Sequence, residues 1–535
     1  MRQRMNDRAV PASLSKFMTA SVRQRRTTST LFILLIIAGG SLLRLLALGK
    51  EGFWQDEVYS ASFAELSILG TTLAAFLLDV HPPLYYLQLN VWGRLGHGDV
   101  WLMLNSLCWS LGTLAAVLWA SWREFGQRAA LFALALCAVM GSEIFFANEL
   151  RMYSMYSCLV VTGWGAANYL RSRWTIRAAA PLLVVLALIA PVHSASFIAG
   201  SALLLYAFPS DHGQILRARL RIWIAVALLA LGAFLPWVIN SSLHHVPHLV
   251  PVSLSAASHT VGGWLVGYGD ALPKWMWTGA AAALVLGVSL AAWANPPLRR
   301  TMTCLVLWPL GFGALICLIR PFWLDRIFVF CAPFIAIILG VGIDGLLRNA
   351  AGRTSGVRLL AAALPVALIA VLVWSGMLQT SHPHKIDHFR ELARFLSDHV
   401  RAGDIIIAPG DSTFWGISRY LIGPDWGSIL IVHDAALMRE KRWQLVSALL
   451  GEKRLERQRL VPLTQRLDGF RVPMFIGSAP RPELAAASGV WVISFDTETE
   501  VDLRPCSNHF PPALTFGTRL RAYHIDCGRA DSTVE

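Results

Sequence analysis

Eleven apolar stretches follow one another through the first 380 residues, at about 30–48, 101–121, 129–147, 153–170, 178–193, 196–209, 222–241, 276–294, 301–319, 327–347 and 359–378. Most approach the roughly 20 residues that an α-helix needs to cross about 30 Å of hydrocarbon. The pattern predicts a polytopic α-helical membrane protein. The stretches at 178–193 and 196–209 are short and could form a helical hairpin. The first is no cleavable signal peptide, being too long for an h-region and lacking a small-x-small site after it. Two intervening polar stretches, 49–100 and 242–275, are too long for turns. The first contains "FAELSILGTTLAAFLLD", whose apolar spacing predicts short amphipathic helices along the interface. The second is rich in Gly, Ser, Pro, His and Trp and predicts a mobile loop. Beyond 379 the pattern changes. "IDHFRELARFLSDHV" has helical spacing, and "RAGDIIIAPG", "GSILIVHD" and "GVWVISFD" read as strands, which together predict a small α/β domain. The expected organisation is a basic N-terminus at 1–29, a helical body at 30–379 and an α/β domain at 380–535.

Composition agrees with the pattern: 55% of residues are hydrophobic and 15% charged, with a mean hydropathy of +0.52. Soluble domains carry about 25% charged residues. The net charge of +13 is distributed as a topology signal, because Lys and Arg gather in cytoplasmic loops. With the N-terminus inside, the inner segments hold 20 Lys and Arg and the outer segments up to 380 hold six: Lys50, Arg94, Arg151, Lys274, Arg320 and Arg326. The reading is N-terminus cytoplasmic and C-terminal domain outside, and nucleic acid is no expected partner. Six of the eight cysteines fall in the apolar stretches, where thiols behave as small hydrophobes. Cys506 and Cys527 lie in the outer domain and could pair if that compartment is oxidising.

Candidate chemistry gathers at the outer ends of the helices. "EGFWQDEVYS" puts Asp56 and Glu57 just beyond the first stretch. Such a pair can mark solvated loop, but Phe53 and Trp54 hold this one at the interface, where aromatics prefer to lie. A carboxylate kept beside apolar surface can serve as a general base. "DVHPPLYYLQLNVWGRLG" supplies His81 and Tyr85, with a rigid proline pair at a helix entry. "ANELRMYSM" supplies Glu149, Arg151 and Tyr153, and charges at such depth are either paired with each other or functional. "HSASF" adds His193, and "RPFWLDRIFVFCAPF" adds Arg320, Asp325 and Arg326. His244, His245 and His248 have a spacing that could hold a metal, but no carboxylate or Cys accompanies them, and no metal site is assigned. "PGDSTFWG" lacks the G-x-S-x-G spacing of a nucleophile elbow, and the P-loop and dinucleotide fingerprints are missing.

The order of "WQDE", "HPPLYY", "ELRMY", a later His and "DRIFVFCAPF" resembles the GT-C membrane glycosyltransferases of the family 39 type. That group includes protein O-mannosyltransferases and the bacterial transferases that add aminoarabinose to lipid A. The resemblance covers the whole chain. It implies a GT-C fold of about 11 transmembrane helices with a C-terminal extracytoplasmic α/β domain, in a bacterial inner membrane. It also implies inverting transfer of a sugar from a polyprenyl-phosphate donor to an acceptor glycan, lipid or protein. Asp56 would then be the general base, and Glu57 would bind hydroxyls or position Asp56. Arg326 and Arg151 would hold the phosphate, and His81, Tyr85, Glu149, Tyr153 and His193 would line the substrate site. No cofactor is expected, a divalent cation being optional. Two other classes compete with this expectation. A lipid or sugar flippase should show polar residues at mid-membrane or paired broken helices. A polysaccharide ligase or polymerase should carry basic residues in a large late outer loop, and 242–275 has almost none.

Overall fold

The computed structural model describes residues 12–96, 98–243, 251–268, 273–381, 385–409, 411–422, 463–467, 470–476, 481–495, 503, 506 and 512–527. The three histidines at 244, 245 and 248 and the strand candidate "GSILIVHD" lie outside them. Helix α1 (Ala12–Ala47) carries the first apolar stretch. Helices α2 (Gln55–Glu65), α3 (Ile68–Leu78) and α4 (Leu84–Gly93) follow, then α5 (Asp99–Phe125). Helices α6 (Gln127–Val139) and α7 (Gly141–Ala147) form one span bent by 57°. Next come α8 (Tyr153–Arg173), α9 (Ile176–Ile189), α10 (Ser196–Ala207), α11 (Gly213–Leu243), α12 (Leu254–Val266) and α13 (Lys274–Ala294). A π-helical turn at Thr303–Leu307 joins α14 (Pro296–Met302) to α15 (Trp308–Cys317). A 3-10 turn at Asp325–Cys331 leads into α16 (Ala332–Ala350), and α17 (Ser355–Ser381) is the last long apolar helix among the described residues.

All eleven apolar stretches fall on helices. Seven among the described residues are long and apolar enough to cross a membrane, and the bent α6–α7 pair makes up to eight. The shortfall from eleven has a physical reason. Helices α9 and α10, of 14 and 12 residues, span about 21 and 18 Å at 1.5 Å per residue. Helix α8 is long but carries Ser154, Ser157 and Thr162. It is buried along most of its length among other helices rather than lipid, so its surface need not be apolar. Helices α11 and α17 are the opposite case, with apolar side chains such as Leu228 and Leu359 uncovered by the rest of the protein.

Small residues let the helices approach. A Cβ on Gly340 of α16 would stand 2.5 Å from the backbone nitrogen of Ala133 on α6, the close contact by which helices associate without a hydrophobic drive. At the bend between α6 and α7, the buried Arg44 donates to the carbonyls of Ala138 (2.8 Å) and Gly40 (2.9 Å) and to Ser110 Oγ (2.9 Å). Its guanidinium takes up carbonyl groups at the end of α6, where the helical ladder is interrupted.

The stretch 242–275 departs from expectation. Its described part holds a 13-residue helix, α12, with Ser253 accepting the Ala256 N–H as N-cap and with Trp264 fully buried. The glycines that suggest a loop are packing positions. A Cβ on Gly262 would meet the Trp277 carbonyl at 2.1 Å, and one on Gly263 the Tyr268 ring at 2.1 Å. In 49–100, α2 is buried along much of its length, whereas α3 exposes Ile68, Leu69 and Phe76, an apolar surface suited to the interface.

Beyond α17 the chain forms an α/β unit. Helices α18 (Phe389–His399), α19 (Asp411–Ile422) and α20 (Arg481–Ala486) accompany strands β1 (Asp404–Ala408), β2 (Leu463–Leu467), β3 (Phe470–Ile476), β4 (Gly489–Phe495), β5 (Leu514–Phe516) and β6 (Leu520–Asp526). The sheet order is β2-β3-β1-β4-β6-β5. β1 is parallel to both neighbours, with Ile406 opposite Met474 and Trp491, and the outer pairs are antiparallel. Alternate residues of β1 face two cores, one with α18 and one with Leu484, Val490, Val492 and Ile525. Cys506 and Cys527 are joined as a disulfide.

The α/β unit grips residues 49–57. Tyr420 accepts the Phe53 N–H at 2.6 Å and donates to Asp99 Oδ2 at 2.8 Å, while Arg419 pairs with Asp99 (2.9 Å) and lies over the Phe53 ring. Asp387 accepts the Gln55 N–H at 3.3 Å and is itself paired with Arg519 at 2.9 Å.

Candidate active site

The two adjacent carboxylates of "WQDE" occupy different environments because they sit about 100° apart on the first turn of α2. Glu57 is fully buried. One oxygen accepts the Leu150 N–H at 2.8 Å and the other the Trp54 N–H at 3.1 Å, and Lys385 Nζ lies 2.7 Å away, itself only 2% exposed. Glu57 therefore ties three separate segments together. Asp56 keeps 23% of its side chain exposed and receives Arg326 at 2.9 Å. The guanidinium of Arg326 also lies over the Trp54 ring, 5.8 Å from its centroid.

Arg151 does not pair with the Glu149 carboxyl. Its buried guanidinium donates to the Asp56 carbonyl (3.1 Å), Ser60 Oγ (3.2 Å) and Tyr86 Oη (3.4 Å). Tyr86 in turn donates to Asp79 Oδ2 at 2.5 Å, and the other Asp79 oxygen accepts the His81 N–H at 3.0 Å. Arg151 thus holds the backbone of Asp56 from behind. Burial and the Arg151 charge hold His81 well below the ordinary imidazole range, in its neutral form. The His81 ring lies against that of His193 with centroids 4.6 Å apart, and His193 stacks on Tyr156. Glu149 is 5% exposed. Burial, reinforced by the Glu57 carboxylate, pushes its carboxyl up to about 8 against the opposing charges of Arg326 and Lys385. It is a neutral acid at pH 7.

Two cavities meet at Arg326. The smaller, about 250 Å³, is lined by Trp54, Glu149, His259, Tyr268, Asp325 and Lys385 among others. The larger, about 280 Å³, is lined mainly by apolar groups, with His81, Tyr153 and His193 at one side and Val238, Ser242 and Ile316 at the other. That second side belongs to the ends of α11 and α15, and the body of α11 is the poorly covered helix described above. The structure therefore brings Asp56, His81, Glu149, Arg151, Tyr153, His193 and Arg326 into one neighbourhood, with Glu57 just beneath. Tyr85 is fully buried within electrostatic reach of Arg151, Glu57 and Glu149, while the hydrogen bond to Arg151 is made by the neighbouring Tyr86. Lys385 and His259 carry no motif in the sequence; only the fold places them here.

Among solved structures, ArnT from Cupriavidus metallidurans in the apo state superposes with a TM-score of 0.57 at 13% identity, over 93% of this chain and 98% of that one. The fold is GT-C. The same ArnT bound to undecaprenyl phosphate superposes at 0.54, with 13% identity and 94% and 100% coverage. Overlap with the oligosaccharyltransferase of Archaeoglobus fulgidus is weaker, at 0.48 and 12% identity, and spans 61% of that chain and 72% of this one. No protein-family model and no curated protein matches the sequence. The chain is an integral membrane protein with a GT-C helical body and a C-terminal α/β region.

Proposed function

We propose that this GT-C protein is an inverting glycosyltransferase of the family 39 type, moving a sugar from a polyprenyl-phosphate donor to a hydroxyl of a lipid, glycan or protein acceptor. We place it in a bacterial inner membrane, with residues 1–29 cytoplasmic, 30–379 as the catalytic membrane body and 380–535 as a periplasmic domain. The observation that carries this reading is the Asp56–Arg326 pair where a larger apolar cavity meets a smaller one into which Glu149, His259, Asp325 and Lys385 bring polar groups. An apolar cavity walled by the ends of α11 and α15 suits the near part of a polyprenyl chain, and Arg326 at its inner end suits a phosphate. ArnT, with the same fold, has been crystallised with undecaprenyl phosphate.

The chemistry follows from the pairing. A phosphate arriving at Arg326 competes with Asp56 for the guanidinium and frees the carboxylate. Asp56 then takes the proton of the acceptor hydroxyl as its oxygen bonds to the anomeric carbon from the face opposite the phosphate. The bond from that carbon to the phosphate oxygen breaks, and the charge growing on the leaving phosphate is met by Arg326. A monophosphate places a modest charge in the site, so the proposed reaction requires no cofactor or metal.

Asp56→Asn keeps shape and hydrogen-bonding reach but cannot take the proton. Transfer should fall by about 10²–10⁴-fold, while undecaprenyl phosphate still binds. Near-normal turnover of Asp56→Asn in a reconstituted transfer assay would remove Asp56 as the base.

A further inference from the structure

The smaller cavity contains a pair that the steps above leave unused. His259, on the first turns of α12, turns Nδ1 to Asp325 Oδ2 at 2.6 Å, and the other Asp325 oxygen accepts the Thr260 hydroxyl at 2.5 Å. Thr260 Oγ1 accepts the indole N–H of buried Trp323 at 3.0 Å. The His259 ring also meets Trp277 edge-on, with centroids 4.2 Å apart. Its orientation is thus set from two sides. A carboxylate at Nδ1 fixes a proton on that nitrogen, so in the neutral ring Nε2 is the acceptor. A histidine serving only to pack two helices would be closed off. This one keeps 34% of its side chain exposed and lines the cavity with Glu149, Trp54, Tyr268 and Lys385.

We propose that the small cavity seats the transferred monosaccharide and that His259, oriented by Asp325, accepts a hydrogen bond from one of its hydroxyls and so selects among sugars. This rests on the reading that Arg326 holds the donor phosphate. The cavity's volume of about 250 Å³ lies below the roughly 300–1,000 Å³ of sites for drug-sized ligands, which suits one sugar ring and not a glycan. Trp54 and Tyr268 add aromatic rings to its wall. The neutral carboxyl of Glu149 can donate where His259 accepts. A site with fixed donor and acceptor positions rejects analogues lacking the matching hydroxyl, because its buried polar groups are then left unpaired.

The test uses the full-length protein in nanodiscs and compares the affinity of undecaprenyl phosphate with that of undecaprenyl phosphate carrying each of a panel of pentoses and hexoses. At least one sugar should add affinity over the bare lipid phosphate. His259→Ala should reduce that increment about five- to tenfold, the loss of one neutral hydrogen bond, and leave the bare lipid phosphate unaffected. His259→Gln, whose carbonyl can accept, should recover part of it. The proposal falls if no sugar adds affinity, if His259→Ala leaves the increment intact, or if it weakens the bare lipid phosphate equally. Failure of wild type to bind undecaprenyl phosphate at all would instead overturn the underlying phosphate reading.

Discussion

Glu149 enters the folded state as an acid, and this makes stability depend on pH in a definite direction. Its carboxyl titrates at about 8 in the fold, against an ordinary value of 4.5, with burial as the largest cause. Between these values the unfolded chain is ionised and the folded chain is not, so folding takes up a proton. The contribution is complete below about 4.5 and is lost as pH rises through 8. The loss runs at about 1.4 kcal/mol per pH unit and reaches on the order of 5 kcal/mol. Glu149→Gln keeps the shape and a donor but has no proton to take up. Its apparent melting temperature relative to wild type should be near parity at pH 5 and higher by pH 9. The difference between two proteins in one detergent is the useful quantity, since a polytopic chain need not unfold in two states. A gap that stays constant from pH 5 to pH 9 would refute the reasoning, because it would mean that Glu149 is ionised in the fold across that range.

Lys385→Met removes the partner of a carboxylate that has no access to water. Breaking such a pair costs about 3–5 kcal/mol, so a large drop in melting temperature is expected, and a variant as stable as wild type would show that Glu57 is not charged. Arg326→Ala should weaken undecaprenyl phosphate binding and lower the transfer rate by a larger factor, since the phosphate's charge grows as the bond breaks; equal losses in binding and rate would make Arg326 a ground-state contact only. A reporter active only in the periplasm, fused after Glu535, should be active, and a silent fusion would reverse the assigned orientation.

The membrane body was legible because lipid imposes length and apolarity on each crossing helix, and all eleven stretches became helices. The count of spans was less legible, since α8 lies among other helices and α9 and α10 do not need to reach both surfaces. "WQDE" was readable as a candidate because charged side chains near membrane depth are costly and seldom there without a partner or a task. What could not be read were relations fixed by tertiary packing. Tyr85 and Tyr86 are adjacent in sequence but about 100° apart on α4, and the Tyr86 contact with Phe63 at 5.3 Å helps decide which one faces Arg151. The Gly and Ser residues of 242–275 suggest a loop until Trp277 and Tyr268 are seen packed against them. His259 finds Asp325 66 residues away, a distance no local pattern spans.

The Lys385–Glu57 pair joins residues 328 positions apart, and this separation sets a timetable. Ribosomes add about 5–20 residues per second, so for tens of seconds the nascent chain holds Asp56 and Glu57 in place without the cation that completes the first turn of α2. A chain truncated after Ser381 would carry every membrane-length apolar helix among the described residues yet lack both Lys385 and the α/β unit that grips residues 49–57. It is expected to be inactive even when stably inserted. Under the proposed reaction, lipid-linked sugar in the membrane would be shielded from copies that still lack Lys385 and the α/β unit.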